Sequence, residues 1–253
     1  MDTPPGLLLV DKPTQMTSHD VVNIVRRVTQ TKTVGHAGTL DPLATGLLLT
    51  LVGKMATKKS SYFLHMDKTY EVDMLLGRET DSGDTDGQTT HQLDPTNPDL
   101  IISTETITTT LQSFVGSYLQ QVPLFSAVKI AGQKLYQHGR KVRNQPNIPL
   151  TIVRPSRQIT IYNIMFNHMY TDKSGYPHII FTASVSSGTY TRSLVTDIAT
   201  RLKIPATQAG LRRTIVGPFS IDQAHSIDTV TLNDIIPFAN LSFNESVAPS
   251  SNG

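Results

Sequence analysis

The sequence predicts an α+β protein built on a mainly antiparallel mixed sheet, with helices flanking it. Three observations lead there. Short apolar runs stand at Leu7–Val10 and Leu47–Val52, the first closed by a Lys-Pro turn. Tyr70, Val72 and Met74 alternate with Glu71 and Asp73, the period of a half-buried strand. Helical spacing occurs in separate stretches, without the regular strand–helix alternation that builds a parallel sheet.

Taken in order, Leu7–Val10 is a strand. Ser18 is placed to cap a helix, with Asp20 in its first turn and Val21, Val22, Val25 and Val28 along one face. Gly35 to Gly46 reads as a non-repetitive loop, since three glycines and a proline fall within twelve residues. Leu47–Val52 is a buried strand, and Thr57 to His65 a short helix. After the strand around Tyr70, Ile107, Leu111, Phe114 and Tyr118 recur at helical spacing and predict a helix over 104–118. Residues 122–150 are rich in Gly, Pro, Gln, Asn and cations and read as an insertion. Strands are expected at 157–165 and 178–186, then a helix at 192–202. The Ser- and Asn-rich residues 237–253 read as a disordered tail behind a domain spanning 1–236.

At 253 residues the chain suffices for one large domain or two small ones. No apolar run approaches the roughly 20 residues of a membrane span, and no secretory signal opens the chain. Zero cysteines exclude disulfides, thiol catalysis and thiolate metal sites. The cytoplasm is the expected compartment.

A net charge of +2 hides an asymmetry. From Asp67 to Glu105 there are ten acids and two bases, a local net of −8. From Thr106 to Thr171 there are seven cations and no acid. Such a segment suits a polyanion, because each phosphate contact releases condensed counterions.

Within the glycine loop stands one carboxylate, Asp41, with no Lys or Arg between Lys32 and Lys54. A lone acid in a loop shaped by its backbone fits a nucleophile or base whose cation comes from elsewhere in the fold. Local chemistry alone favours another reading, the cap of a short helix with Pro42 at its first position. The run Thr80-Asp81-Ser82-Gly83-Asp84-Thr85-Asp86-Gly87 fails the EF-hand template, because Leu93 stands where the final Glu is required. No metal site is expected.

The unbroken run Gly35-His36-Ala37-Gly38-Thr39-Leu40-Asp41-Pro42-Leu43-Ala44-Thr45-Gly46 resembles the catalytic motif of the TruB-type tRNA pseudouridine synthases, G-H-x-G-x-L-D-P-x-A-x-G. Five further blocks are similar and stand in family order. They are Gly6 to Pro13, Lys68-Thr69-Tyr70, Ser126-Ala127-Val128-Lys129 through Lys134-Leu135-Tyr136, Ser186 to Ser193, and Leu211-Arg212-Arg213. The resemblance implies the pseudouridine synthase fold with a thumb-like insertion. It implies isomerisation of the T-loop uridine at tRNA position 55, without metal or cofactor and without an obligatory protein partner, in a monomer.

The same resemblance implies roles. Asp41 is the nucleophile or base, Arg192 its paired cation, and Tyr70 stacks on the target uracil, although its alternation alone reads as core. His36 fills the gap left by the flipped base, which must leave its stack to be modified. Asp81 edges the cleft and orients an Arg or the RNA sugar. Lys12, Lys129 and Lys134 are candidate phosphate contacts, and Tyr190 adjoins Arg192 on the RNA side. Two departures stand out: Ser187 replaces the family's usual Lys, and Thr191 replaces an apolar residue. Many relatives carry a further RNA-binding domain of the PUA type after the Leu-Arg-Arg block. Its absence here implies that RNA binding rests on the catalytic domain and the insertion.

Overall fold

A computed structural model describes residues 3–130, 132–144 and 152–243. The chain begins with β1 (Gly6–Lys12), α1 (Ser18–Thr29), β2 (Val34–Ala37), β3 (Thr45–Val52), α2 (Gly53–Thr57), α3 (Ser60–Leu64) and β4 (Lys68–Leu76). There follow β5 (Arg78–Thr80), β6 (Thr89–Gln92), α4 (Thr104–Gln112), β7 (Gly116–Gln121), β8 (Lys129–Ile130), β9 (Gln133–Lys134) and α5 (Leu135–Asn144). The last third holds β10 (Ser156–Thr171), β11 (Pro177–Val185), α6 (Thr191–Leu202), β12 (Ala206–Val216), β13 (Phe219–Ser220), β14 (His225–Ser226) and β15 (Ile236–Pro237). The single domain expected over 1–236 is divided into two compact units. One takes the described residues of Met1–Glu71, Ser184–Ser187 and Gly210–Gly253, the other those of Val72–Ala183 and Gly188–Ala209.

In the first unit β3 is central. It pairs antiparallel with β1 over Gly46–Val52 and with β2, and parallel with β12 at Arg212↔Thr45 and Arg213↔Gly46. Leu7, Leu9, Leu47, Leu49 and Leu51 alternate onto one face and pack with Phe63 and Val216. The intervening residues face the other way, where α1 lies on β2 and β3. The cap of α1 is Thr17, one residue earlier than expected: its hydroxyl and the Asp20 carboxylate form a reciprocal capping box. The helix expected at 57–65 is two short helices, α2 and α3.

The tail expected from residue 237 starts with docked structure. Pro237 pairs with Gly6, and the rings of Phe238 and Phe243 lie tilted with centroids 5.1 Å apart, packed against Tyr62 and the core. Apolar rings outweigh the polar bias of that stretch. Residues 244–253 lie outside the described residues.

The second unit holds the strand order β4-β11-β10-β7, with α4 against β10 and α6. The helix predicted over 104–118 ends at Gln112, and Tyr118 lies on β7. Gly116, at φ +119°, turns the backbone out of the helix. Of the expected insertion, Lys129–Ile130 and Gln133–Lys134 form a small hairpin that leads into α5. Residues 131 and 145–150 lie outside the described residues.

Near the turn joining β10 to β11, His178 is held between two carboxylates. Its Nδ1 stands 2.6 Å from Asp73 Oδ1 and its Nε2 3.7 Å from Asp172, while Tyr170 stacks on its ring and donates to Asp73. Burial alone would lower the imidazole's pKa; Asp73 and then Asp172 outweigh it, and the net direction is upward. A raised folded-state pKa stabilises fully below the unfolded value, about 6.5, and this contribution is lost as pH rises through the folded value. The melting temperature of wild type is therefore expected to fall as pH rises from about 6 towards 8, and that slope to flatten in His178→Gln. Thermal melts across that range check it; equal slopes would remove the assignment.

Candidate active site

The loop carrying Asp41 begins differently from its sequence reading, since Val34–Ala37 is strand β2, paired to β3. Gly38 to Ala44 then turns back into β3. Asp41 caps no helix here: its carbonyl accepts from Ala44 N at 3.0 Å, closing a turn. The flanking main chain is tied down on both sides. Ser18 Oγ donates to Leu40 O at 3.1 Å and accepts from Leu40 N at 2.9 Å, so the residue expected as a helix cap instead holds the loop. Gln15 N donates to Pro42 O at 2.8 Å.

Two buried cations brace this loop. Lys12, fully buried, points its Nζ at the carbonyls of Met16, Pro13 and Pro42, at 2.7, 2.8 and 3.3 Å. Arg213 is 1% exposed and donates from Nε to Leu47 O at 2.8 Å and from a terminal nitrogen to Gly38 O at 3.0 Å. Burial outweighs the upward pull of Asp41 and, with the Arg213 charge also lowering it, leaves the Lys12 ammonium at about 8. The expectation of Lys12 as a phosphate contact is thus corrected: its donors are spent on backbone carbonyls beneath the loop. A Lys beside a turn proline reads as exposed, and only the folded register of Lys12 against Gly46 puts it inside. Arg213 was matched in sequence only as part of the Leu-Arg-Arg block, and its bracing role went unread.

The other predicted residues of this unit are placed as follows. His36 sits on β2, and burial followed by the Arg213 charge lowers its pKa, which favours the neutral ring. Its Nδ1 is buried without a hydrogen-bond partner among the described residues. Tyr70 is buried on β4. Lys68, two residues before it, is buried too; it donates to Leu64 O at 2.6 Å and to Met66 O, and burial lowers its pKa to about 8.

In the second unit, Arg192 lies in the first turn of α6 and is 8% exposed. One terminal nitrogen donates to Ser82 O at 3.1 Å and stands 3.3 Å from Asp84 Oδ2; the other donates to Phe125 O at 3.1 Å. Tyr190 precedes the helix, its backbone bonded both ways to the Gln120 amide at 2.8 and 3.1 Å. A cavity beside Arg192 is lined by Asp81, Ser82, Gln121, Arg154 and Asp197. Asp81 takes Arg143 in a bidentate pair at 2.6 and 2.7 Å. The acid-rich and acid-free segments thus meet each other, and two of their charges are matched inside the protein. Lys129 and Lys134 are exposed and stand directly opposite on the β8–β9 hairpin.

Among the described residues no cluster of three or more His, Asp or Glu is placed to hold a metal ion, and no helix is long and apolar enough to cross a membrane.

This architecture and loop are those of a pseudouridine synthase. The solved Cbf5-Nop10-Gar1 complex contains a chain 26% identical that superposes with a TM-score of 0.64, over 90% of this chain and 55% of that one. The family described as TruB family pseudouridylate synthase (N terminal domain) matches residues 26–191. The tRNA pseudouridine synthase B of Caldicellulosiruptor saccharolyticus is 41% identical over 97% of this chain and 79% of its own length. That of Bacillus subtilis is 38% identical over 88% and 69%. The chain belongs to the TruB family of pseudouridylate synthases.

Proposed function

We propose that this chain isomerises the T-loop uridine at position 55 of tRNA to pseudouridine in the cytoplasm, with Asp41 as the group that attacks the nucleotide or takes its proton. One observation carries the reading: Asp41 stands in an unbroken family motif whose main chain is pinned by two buried cations and a helix hydroxyl. A carboxylate held that way has its direction set before substrate arrives, which is what a group acting on one sugar or base atom requires. The identity of the relatives, each named tRNA pseudouridine synthase B, supports the substrate. His36 supports the extruded-base geometry: a neutral, half-buried ring with an open nitrogen suits the space a flipped nucleotide leaves. Tyr70 and Arg192 complete the catalytic set in this proposal, as the stacking surface and the cation.

Lys129 and Lys134 are proposed as phosphate contacts. Like charges directly opposite on a hairpin repel, at about 0.2–1 kcal/mol, and an anion between them reverses the sign. Lys129→Ala and Lys134→Ala are each expected to reduce the slope of log affinity for tRNA against log salt by about 0.7–0.9. Lys12→Met is expected to leave that slope unchanged while costing about 2 kcal/mol of stability through carbonyls left without a donor. Filter binding across a salt series, with melts alongside, checks all three.

Pseudouridine mapping on an unmodified tRNA transcript tests the function. Modification at the T-loop uridine is expected. Modification elsewhere would overturn the site, and none at all would overturn the activity.

A further inference from the structure

The basic insertion holds more than surface charge. Helix α5 straddles the ring of Phe125: the Arg143 guanidinium lies 4.5 Å over it, and a Cβ added at Gly139, one turn earlier, would come within 3.0 Å of it. The carbonyl of that same Phe125 accepts from Arg192. On its other side Arg192 is gripped by Ser82 and Asp84, adjoining Asp81. Asp81 is itself fixed, with its carboxylate accepting from Gln88 N at 2.8 Å and its own N–H bonded to Gln88 O at 3.0 Å. The links form a closed circuit, from Asp81 through Arg143 and Phe125 to Arg192 and back through the loop.

We infer that Arg143 is a positioning residue: its bidentate pair with Asp81 latches α5 onto Phe125, and so holds the carbonyl that aims Arg192. Both partners are about four-fifths buried, with side-chain exposures of 23% and 21%. Planar, two-point pairing in such a setting fixes geometry as well as charge. The insertion then sets the catalytic cation as well as meeting RNA, and breaking the Asp81–Arg143 pair would loosen one of the bonds that aim Arg192. The inference rests on the proposed role of Arg192.

Asp81→Asn separates this from simple electrostatics. Removing an anion from a polyanion-binding protein would, by charge alone, leave tRNA affinity unchanged or tighten it. The latch predicts instead that Asp81→Asn and Arg143→Gln each lower the single-turnover rate at saturating tRNA by about tenfold, because small misplacements of a catalytic group are costly. The double variant should be no slower than the slower single, and Arg143→Lys should recover part of the loss. Trypsin should cut after Arg140 and Lys141 faster in both single variants than in wild type, read by mass spectrometry without any activity.

An unchanged saturated rate in Asp81→Asn overturns the inference. So does Arg143→Gln that only weakens tRNA binding and flattens the salt slope, which would make Arg143 a phosphate contact. Were wild type itself to form no pseudouridine, the proposed function would fall and the aiming of Arg192 with it. Trypsin cutting would still decide the latch on its own, and equal rates would remove it.

Discussion

Asp41→Asn is expected to bind tRNA within about threefold of wild type and to lose at least about 10⁴ of its isomerisation rate. The amide matches the carboxylate in size and lacks both its nucleophilicity and its basicity. The fold should hold, because the loop is bonded through its main chain. Ser18 grips Leu40, Lys12 and Gln15 reach Pro42, and Ala44 bonds the Asp41 carbonyl. Lys12 should feel the change, since Asp41 is the largest influence that raises its pKa against burial. Single-turnover rates read beside filter binding and a melt would separate chemistry from affinity and folding. A residual rate within about tenfold of wild type would move the chemistry off Asp41.

Gly46→Ala should be severely damaging, because it combines a strained backbone with a clash against fixed atoms. Gly46 sits at φ +101°, where a side chain is strained whatever the space. Its added Cβ would stand 2.3 Å from the carbonyl oxygen of Arg213 and 2.7 Å from its nitrogen. Those are backbone atoms of the paired strand β12, so nothing flexible is available to move. Relief would part β3 from β12 and shift Arg213, which holds Leu47 and Gly38. A cost above about 4 kcal/mol is expected, or roughly 10 °C or more in melting temperature for a chain of this size. A melt within about 3 °C of wild type would refute the close packing.

The legible elements are those whose side chains repeat the environment they occupy. β1, β3 and β4 were readable because apolar runs or alternation reflect burial directly. β2 was hidden, since Val34–Ala37 has a glycine and a histidine where a strand prefers branched residues. β12 was hidden by its polar sequence, with Thr207 and Arg213 buried on it. α4 was read too long because Phe114 and Tyr118 keep a helical interval across a glycine turn. At the site, the position of Asp41 in its motif was legible. Its supports were not: Lys12 and Arg213 meet carbonyl oxygens, which every residue owns and no motif records.

Bracing through the main chain sets how the Asp41 loop tolerates change. The atoms gripped at Pro13, Met16, Gly38, Pro42 and Leu47 belong to the main chain, so at most of these positions the grip does not depend on the side chain; Gly38 is the exception, at φ +86° with the Arg213 guanidinium 3.2 Å from where a Cβ would stand. The gripping side chains have no such freedom, because each spends several donors at once in a buried setting. Robustness is therefore distributed unevenly. Substitutions that keep the backbone path should be absorbed at the other gripped positions, while at Lys12 and Arg213 hardly any exchange is neutral. A library randomised around Asp41 would be filtered for backbone shape, and one randomised at Lys12 and Arg213 for a single chemistry.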